Sequence, residues 1–308
     1  MCASFWKLIK MQDTYPLRLR KLISKIHPLY IFYGLLSYGM GLGLAKYMGV
    51  SLIIFSQFAG GLVIMLLMLV SDLLNEYFRP ITTQDIEIGG LKDYEKFRSL
   101  LLNVTIALLA IAIFFIYILF RDGYLSYQAG FFFSIFLILT LINAIPPFRL
   151  IDRGIFELSL AIQVGSLAPS IGFLLQYNTF HRIIASFTFP LVLLGLACLL
   201  ASNFPTYSQD VKNERRSLLV VLSWQRAIPL HHIMLIVAYL LFLFSMLWGI
   251  PPRLVWPVFL TLPIAIFQSS LLRNLGAGSK PNWQLLTIVS SSTLGFSIYL
   301  LTLTFWIR

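Results

Sequence analysis

An all-α polytopic membrane protein with nine transmembrane helices is the fold class this sequence predicts, and three observations carry the expectation. The first is composition. Of 308 residues 58% are hydrophobic and only 11% are charged, with a mean hydropathy of +0.85. A soluble domain with that much apolar surface would aggregate, so the chain needs lipid as its solvent. The second is segmentation: about nine apolar stretches approach the length of a bilayer span. The third is the placement of charge. With the N-terminus inside, Lys46, Arg121, Arg182, Arg253 and Arg308 are the five basic residues on the outer side, which leaves 18 of the 23 Lys and Arg inside.

Taken in order, residues 1–27 read as a basic cytosolic lead-in lying on the membrane surface. Lys7, Lys10, Arg18, Arg20, Lys21 and Lys25 punctuate this segment, and it lacks the apolar core and cleavage site of a signal peptide. Residues 28–308 form the membrane domain. The first span, 28–47, carries Gly39, Gly41 and Gly43, a small-residue stripe suited to close helix packing. The second, 49–74, contains Gln57 and runs into the polar sequence SDLLNEYFRP. The third is 100–120, and its Asn103-Val104-Thr105 sequon is discounted because it lies within the span. The fourth and fifth, 129–145 and 155–177, contain Asn143, Gln163 and Ser166. In lipid such groups bond to a neighbouring helix or line a cavity. The sixth, 183–201, ends at a polar island, SNFPTYSQDVKNERRS. The seventh, 233–250, is opened by His231-His232; adjacent residues do not share a helix face, which argues against metal ligation, and the pair reads as an interfacial anchor. The eighth and ninth are 254–271 and 285–307, and tryptophans mostly flank the spans, as interface residues do.

The net charge of +11 needs no nucleic-acid partner, because basic loops held against an anionic leaflet account for it. Cys2 and Cys198 give no disulfide framework and no metal spacing, and Cys2 lacks a lipidation context. The long polar connections, 74–99 and 203–232, both fall inside, so chemistry is expected at the cytosolic mouth of the bundle. A transporter would place functional charges near the midplane; here the acids sit at span ends. At the end of the second span Asp72, Asn75, Glu76 and Arg79 recur at i, i+3, i+4 and i+7, one face of a helix pointing into one mouth. The group reads equally as a site or as helix-end solvation.

Four blocks resemble the UbiA superfamily of membrane prenyltransferases. NEYF at Asn75–Phe78 is similar to the start of that family's first motif, N-D-x-x-D-x-x-x-D, with Glu76, Arg79 and Thr83 where aspartates stand. Gly89-Gly90 resembles a downstream glycine pair, and PPFRLIDRGIFEL (146–158) resembles the family's connection between spans four and five. SNFPTYSQD (202–210) resembles the second motif, with Thr206 replacing its first aspartate and Asp210 keeping the second. The resemblance implies a barrel-like helical bundle around a large apolar cavity. It implies transfer of an isoprenoid from a prenyl diphosphate to a quinone precursor or similar lipid-soluble acceptor, at a site facing the cytosol within membrane lipids. It implies Mg²⁺ and diphosphate held by Asn75, Glu76 and Asp210, with Asp72 a further metal ligand and Asp85, Glu87 and Glu214 near in sequence. Arg79, Arg215 and Arg216 would hold pyrophosphate, and Arg149, Arg153 and Glu157 would stand around the same mouth. Arg79 in place of an acid has two readings: fixed positive charge replaces a metal, or the metal site is lost. The second reading makes the chain a non-catalytic relative that binds an isoprenoid or a partner.

Overall fold

In a computed structural model of the protein, residues 26–80, 83–213 and 215–307 are described, residues 83–93 by their backbone alone. The basic lead-in up to Lys25, Glu214, Arg308 and the side chains of Thr83, Asp85, Glu87, Gly89 and Gly90 therefore lie outside the described residues.

Among the described residues nine helices are long and apolar enough to cross a membrane. They are α1 (Pro28–Tyr47), α2 (Ile54–Tyr77), α3 (Thr83–Arg121), α4 (Tyr127–Ala144), α5 (Phe156–Tyr177), α6 (Arg182–Ser202), α7 (Leu218–Leu247), α8 (Pro252–Gly276) and α9 (Trp283–Ile307). The short connections make successive helices antiparallel. One end of the bundle, the mouth end, therefore gathers the starts of α1, α5 and α7 with the ends of α2, α4 and α6.

α5 is the central helix, packed between α1, α6, α4 and α2. Glycines set how closely its neighbours approach. A Cβ on Gly41 would lie 1.9 Å from the Pro169 carbonyl oxygen, and one on Gly172 would lie 2.4 Å from that of Tyr38, so α1 and α5 touch backbone to backbone. Gly43 lies beneath the Trp306 ring of α9, whose Nε1 donates to the Gly39 carbonyl at 2.9 Å. The stripe in the first span thus serves close packing on two sides, as its composition suggested. Within α5 the turn Gln163–Leu167 is π-helical, and Gly165 there meets the α6 backbone at Leu191 and Val192.

Two boundaries differ from the sequence reading. α7 begins at Leu218, not at residue 233, so the second half of the expected 203–232 loop is helix. Leu218–Leu222 is apolar enough to pack, and Ser223 (φ 63°) breaks the helix so that its two parts meet at an angle. Consequently His231 is fully buried in mid-helix, bonded to Gln268 of α8 at 2.8 Å, and is not an interfacial anchor. Likewise α3 starts at Thr83 and is 39 residues long, so the connection after α2 is short.

A candidate site at the mouth of the bundle

A cavity of about 240 Å³ opens at the mouth end, walled by α1, α2, α5, α6 and the chain on either side of Asp210. Its polar lining includes His27, Asp72, Asn75, Glu157, Asn203 and Arg215, and its floor is Met68, Leu160, Gln163 and Leu199. This is a compact polar cup, smaller than the large apolar cavity that the resemblance implied.

Of the residues selected from sequence, Asp72, Asn75 and Arg215 line the cup, as does Glu157. Glu76, Arg79, Arg149, Arg153, Asp210 and Arg216 do not. Most of these are engaged elsewhere. Arg79 donates to Glu76 at 3.2 Å. Arg149 lies 3.1 Å from Asp152, and Arg153 donates to the Pro147 carbonyl at 2.7 Å. Arg216 is exposed beside Gly154, whose positive φ of 73° lets the chain pass under the start of α7. Asp210 is buried just behind the cavity wall. It accepts from the Thr206 hydroxyl at 3.2 Å and stands 3.7 Å from Arg215, so it positions two groups that do line the cup.

Glu157 is the acid most deeply built in. Its Oε1 accepts from Asn203 Nδ2 at 2.5 Å and from the Leu218 amide at 3.2 Å, which ties α5, α6 and α7 together. Its Oε2 is buried with no partner, as is Asn75 Oδ1. A buried acceptor left unpaired costs about 1–3 kcal/mol, so both oxygens are poised for a donor or a cation. Among the described residues no three His, Cys, Asp or Glu side chains stand close enough to share a metal ion, so Glu76, Asp210 and Asp72 are not brought together.

His27 was not singled out from sequence, because a lone histidine before a proline carries no signal. It crosses the cup's rim: its backbone amide donates to Asp72 Oδ2 at 2.8 Å, and Nδ1 meets Oδ1 at 3.1 Å. The hydrogen bond to Asp72 raises the His27 pKa above its ordinary 6.5; burial and Arg215 oppose it. A raised pKa means that the contact's contribution is complete below about pH 6.5 and fades as pH rises through the raised value. The thermal midpoint of His27→Gln should therefore fall furthest below wild type at about pH 5.5, and the gap should narrow by about pH 9. A gap independent of pH would contradict the assignment.

No family model matches the chain, and no curated protein matches its sequence. Solved structures do match it. A UbiA homolog from Archaeoglobus fulgidus bound to DMAPP and Mg²⁺ superposes with a TM-score of 0.61 at 15% identity, over 93% of this chain and 99% of that one. A structure of a UbiA homolog from that organism bound to GPP and Mg²⁺ gives 0.59 at 15% identity, over 92% and 99%. The chain has the UbiA fold. A further structure of a UbiA homolog from that organism agrees, with a TM-score of 0.58 at 16% identity over 89% of this chain and 96% of the other. At such identities the likeness is one of fold. Within the UbiA fold, three of the four sequence blocks contribute to one cup: Asn75 from the first, Ile151, Phe156 and Glu157 from 146–158, and Ser202, Asn203 and Thr206 from 202–210. Residues 89–90 of the fourth lie outside the described side chains.

Proposed function

We propose that this protein binds a prenyl diphosphate at the mouth of its UbiA-fold bundle and transfers the isoprenoid to a lipid-soluble acceptor of the quinone-precursor kind. The observation that carries the reading is the convergence of the motif-matched blocks on one polar cup whose floor is apolar except for Gln163. The diphosphate sits toward Arg215 and His27, and the isoprenoid chain enters past Met68 and Leu199. Arg215 supplies a planar fork of N–H donors matched to phosphate oxygens. Asp210 holds that fork in place. The mouth faces the cytosol, where the basic connections gather.

Asn75 Oδ1 and Glu157 Oε2, buried, unpartnered and of the hard type that Mg²⁺ requires, are the oxygens that would hold such an ion. Bound there with the diphosphate, it would neutralise the leaving group's charge. Glu76 and Asp210 stand outside the cup and are not part of this set. A second reading is a non-catalytic prenyl-diphosphate binder. It is favoured by the internal pairing of the acids: Asp72 with His27, Glu76 with Arg79, Asp210 with Arg215.

Membranes containing the protein, given radiolabelled prenyl diphosphates of several chain lengths and lipid extract, separate these readings. Mg²⁺-dependent transfer that EDTA stops is the expected result. Transfer indifferent to EDTA would assign charge neutralisation to Arg215 and His27 alone. Retained binding without transfer would select the second reading, and neither binding nor transfer would overturn both.

A further inference from the structure

A second site lies away from the cup, on the face of α7 and α8. There a groove of about 650 Å³ runs between the two helices, walled by Leu235, Leu240, Leu243, Phe259, Leu262 and Ile266. It follows α7 from His232 to Leu243 and α8 from Leu262 to Arg273. Each run covers about 16 Å of helix. That is half of a hydrocarbon core about 30 Å thick, the reach of one lipid chain in one leaflet. Arg273 sits in the last turn of α8, at the mouth end, so the polar end of the groove faces the headgroups of that leaflet.

The polar end is cationic. Among the described residues no acidic side chain lines the groove, and Ser269 and Ser270 stand beside Arg273, the Ser270 hydroxyl donating to the Phe267 carbonyl at 2.7 Å. The paired histidines, which the cup does not use, belong to this wall. Gln268 Nε2 lies 2.8 Å from His231 Nε2, and His231 Nδ1 lies 3.2 Å from His232 Nδ1, so the ring of His232, the one of the pair that lines the groove, is held from behind. Deeper in, Tyr239 is fixed by its hydrogen bond to Thr261 at 2.7 Å, which holds the wall rigid.

We propose that this groove holds one anionic phospholipid of the mouth-side leaflet, its phosphate against Arg273 beside the His232 ring and one acyl chain along the α7–α8 cleft. The occupant follows from charge: an arginine in the last turn of α8, faced by no described carboxylate in the groove, selects phosphate, and the groove's length selects a chain that stays within one leaflet. The inference does not depend on the prenyl-transfer reading.

Native mass spectrometry of the purified full chain tests it, after exchange into equal mixtures of phosphatidylglycerol and phosphatidylcholine of identical chains. Wild type should retain the anionic lipid about tenfold over the zwitterionic one. Arg273→Gln should remove that preference, and Lys280→Gln, a nearby loop charge, should leave it. Ser269→Trp, filling the groove, should lower retention of both lipids while the helical circular dichroism stays at the wild-type value. Equal retention of the two lipids by wild type would overturn the proposal. So would a preference that survives Arg273→Gln, or one lost equally in Lys280→Gln. Displacement of phosphatidylglycerol by a soluble prenyl diphosphate would reassign the groove to that ligand and overturn the phospholipid assignment.

Discussion

Gly41→Val is expected to prevent assembly of the bundle. A Cβ at Gly41 meets only backbone: the Pro169 carbonyl oxygen at 1.9 Å, its carbon at 2.8 Å and the Phe173 nitrogen at 2.9 Å. No rotamer change relieves such a clash, so α1 and α5 would have to separate along the contact that anchors the central helix. Overpacking commonly costs about 1–3 kcal/mol, and a clash with fixed backbone belongs at or above the top of that range. The measurement is the thermal midpoint and the yield of monodisperse protein in detergent. Gly39→Ala is the internal control. Its nearest neighbour would be Thr302 Cγ2 at 3.9 Å, so the change should stay within about 0.5 kcal/mol. An unchanged midpoint for Gly41→Val would mean that α1 and α5 do not pack as described.

Arg215→Ala is expected to weaken prenyl-diphosphate binding by about 10- to 100-fold, the value of a charge-assisted hydrogen bond to phosphate. Arg215→Lys should recover part of the loss, since it keeps the charge and loses the fork. The neighbouring Arg216→Ala should stay within about twofold of wild type, because Arg216 does not line the cup. The obvious confounder is Asp210, a buried carboxylate that loses its cation when Arg215 is removed. The double variant Arg215→Ala/Asp210→Asn resolves it. If stranding Asp210 caused the loss, the double variant would regain binding; if Arg215 contacts diphosphate, it would not. Direct binding of radiolabelled diphosphate reads all four variants. Equal losses for Arg215→Ala and Arg216→Ala would place the ligand outside the cup.

The fold was legible because lipid imposes it. A chain of this hydropathy satisfies its backbone inside a bilayer only as helices, and each span shows as a length of apolar sequence. The Gly39, Gly41 and Gly43 stripe was equally readable, since small residues in a span have few other uses. The blocks around Asn75, Glu157 and Asn203 were found by pattern, and folding brings them to one cavity. Composition and spacing therefore determined the class of protein and the end of the bundle where polar residues gather, while the motif resemblance supplied the three blocks that meet in the cup.

Tertiary structure decided which members of each segment face inward. Arg215 and Arg216 are equivalent as letters, yet only one lines the cup, because the backbone amide of Arg215 is held by the Asp210 carbonyl at 2.8 Å. Glu76 and Asp210, the acids that match the motifs best, are turned to arginines, while Glu157 and Asn75 keep unpaired oxygens. The start of α7 was hidden for the same kind of reason. Its first amide, at Leu218, is satisfied by Glu157, 61 residues earlier, and not by a local cap. His231 gave no sign of being buried because its partner, Gln268, is 37 residues away on another helix. Local sequence records hydrophobic period and length. A hydrogen bond between distant segments leaves no local trace, and in this protein such bonds choose the polar groups that remain free for a ligand.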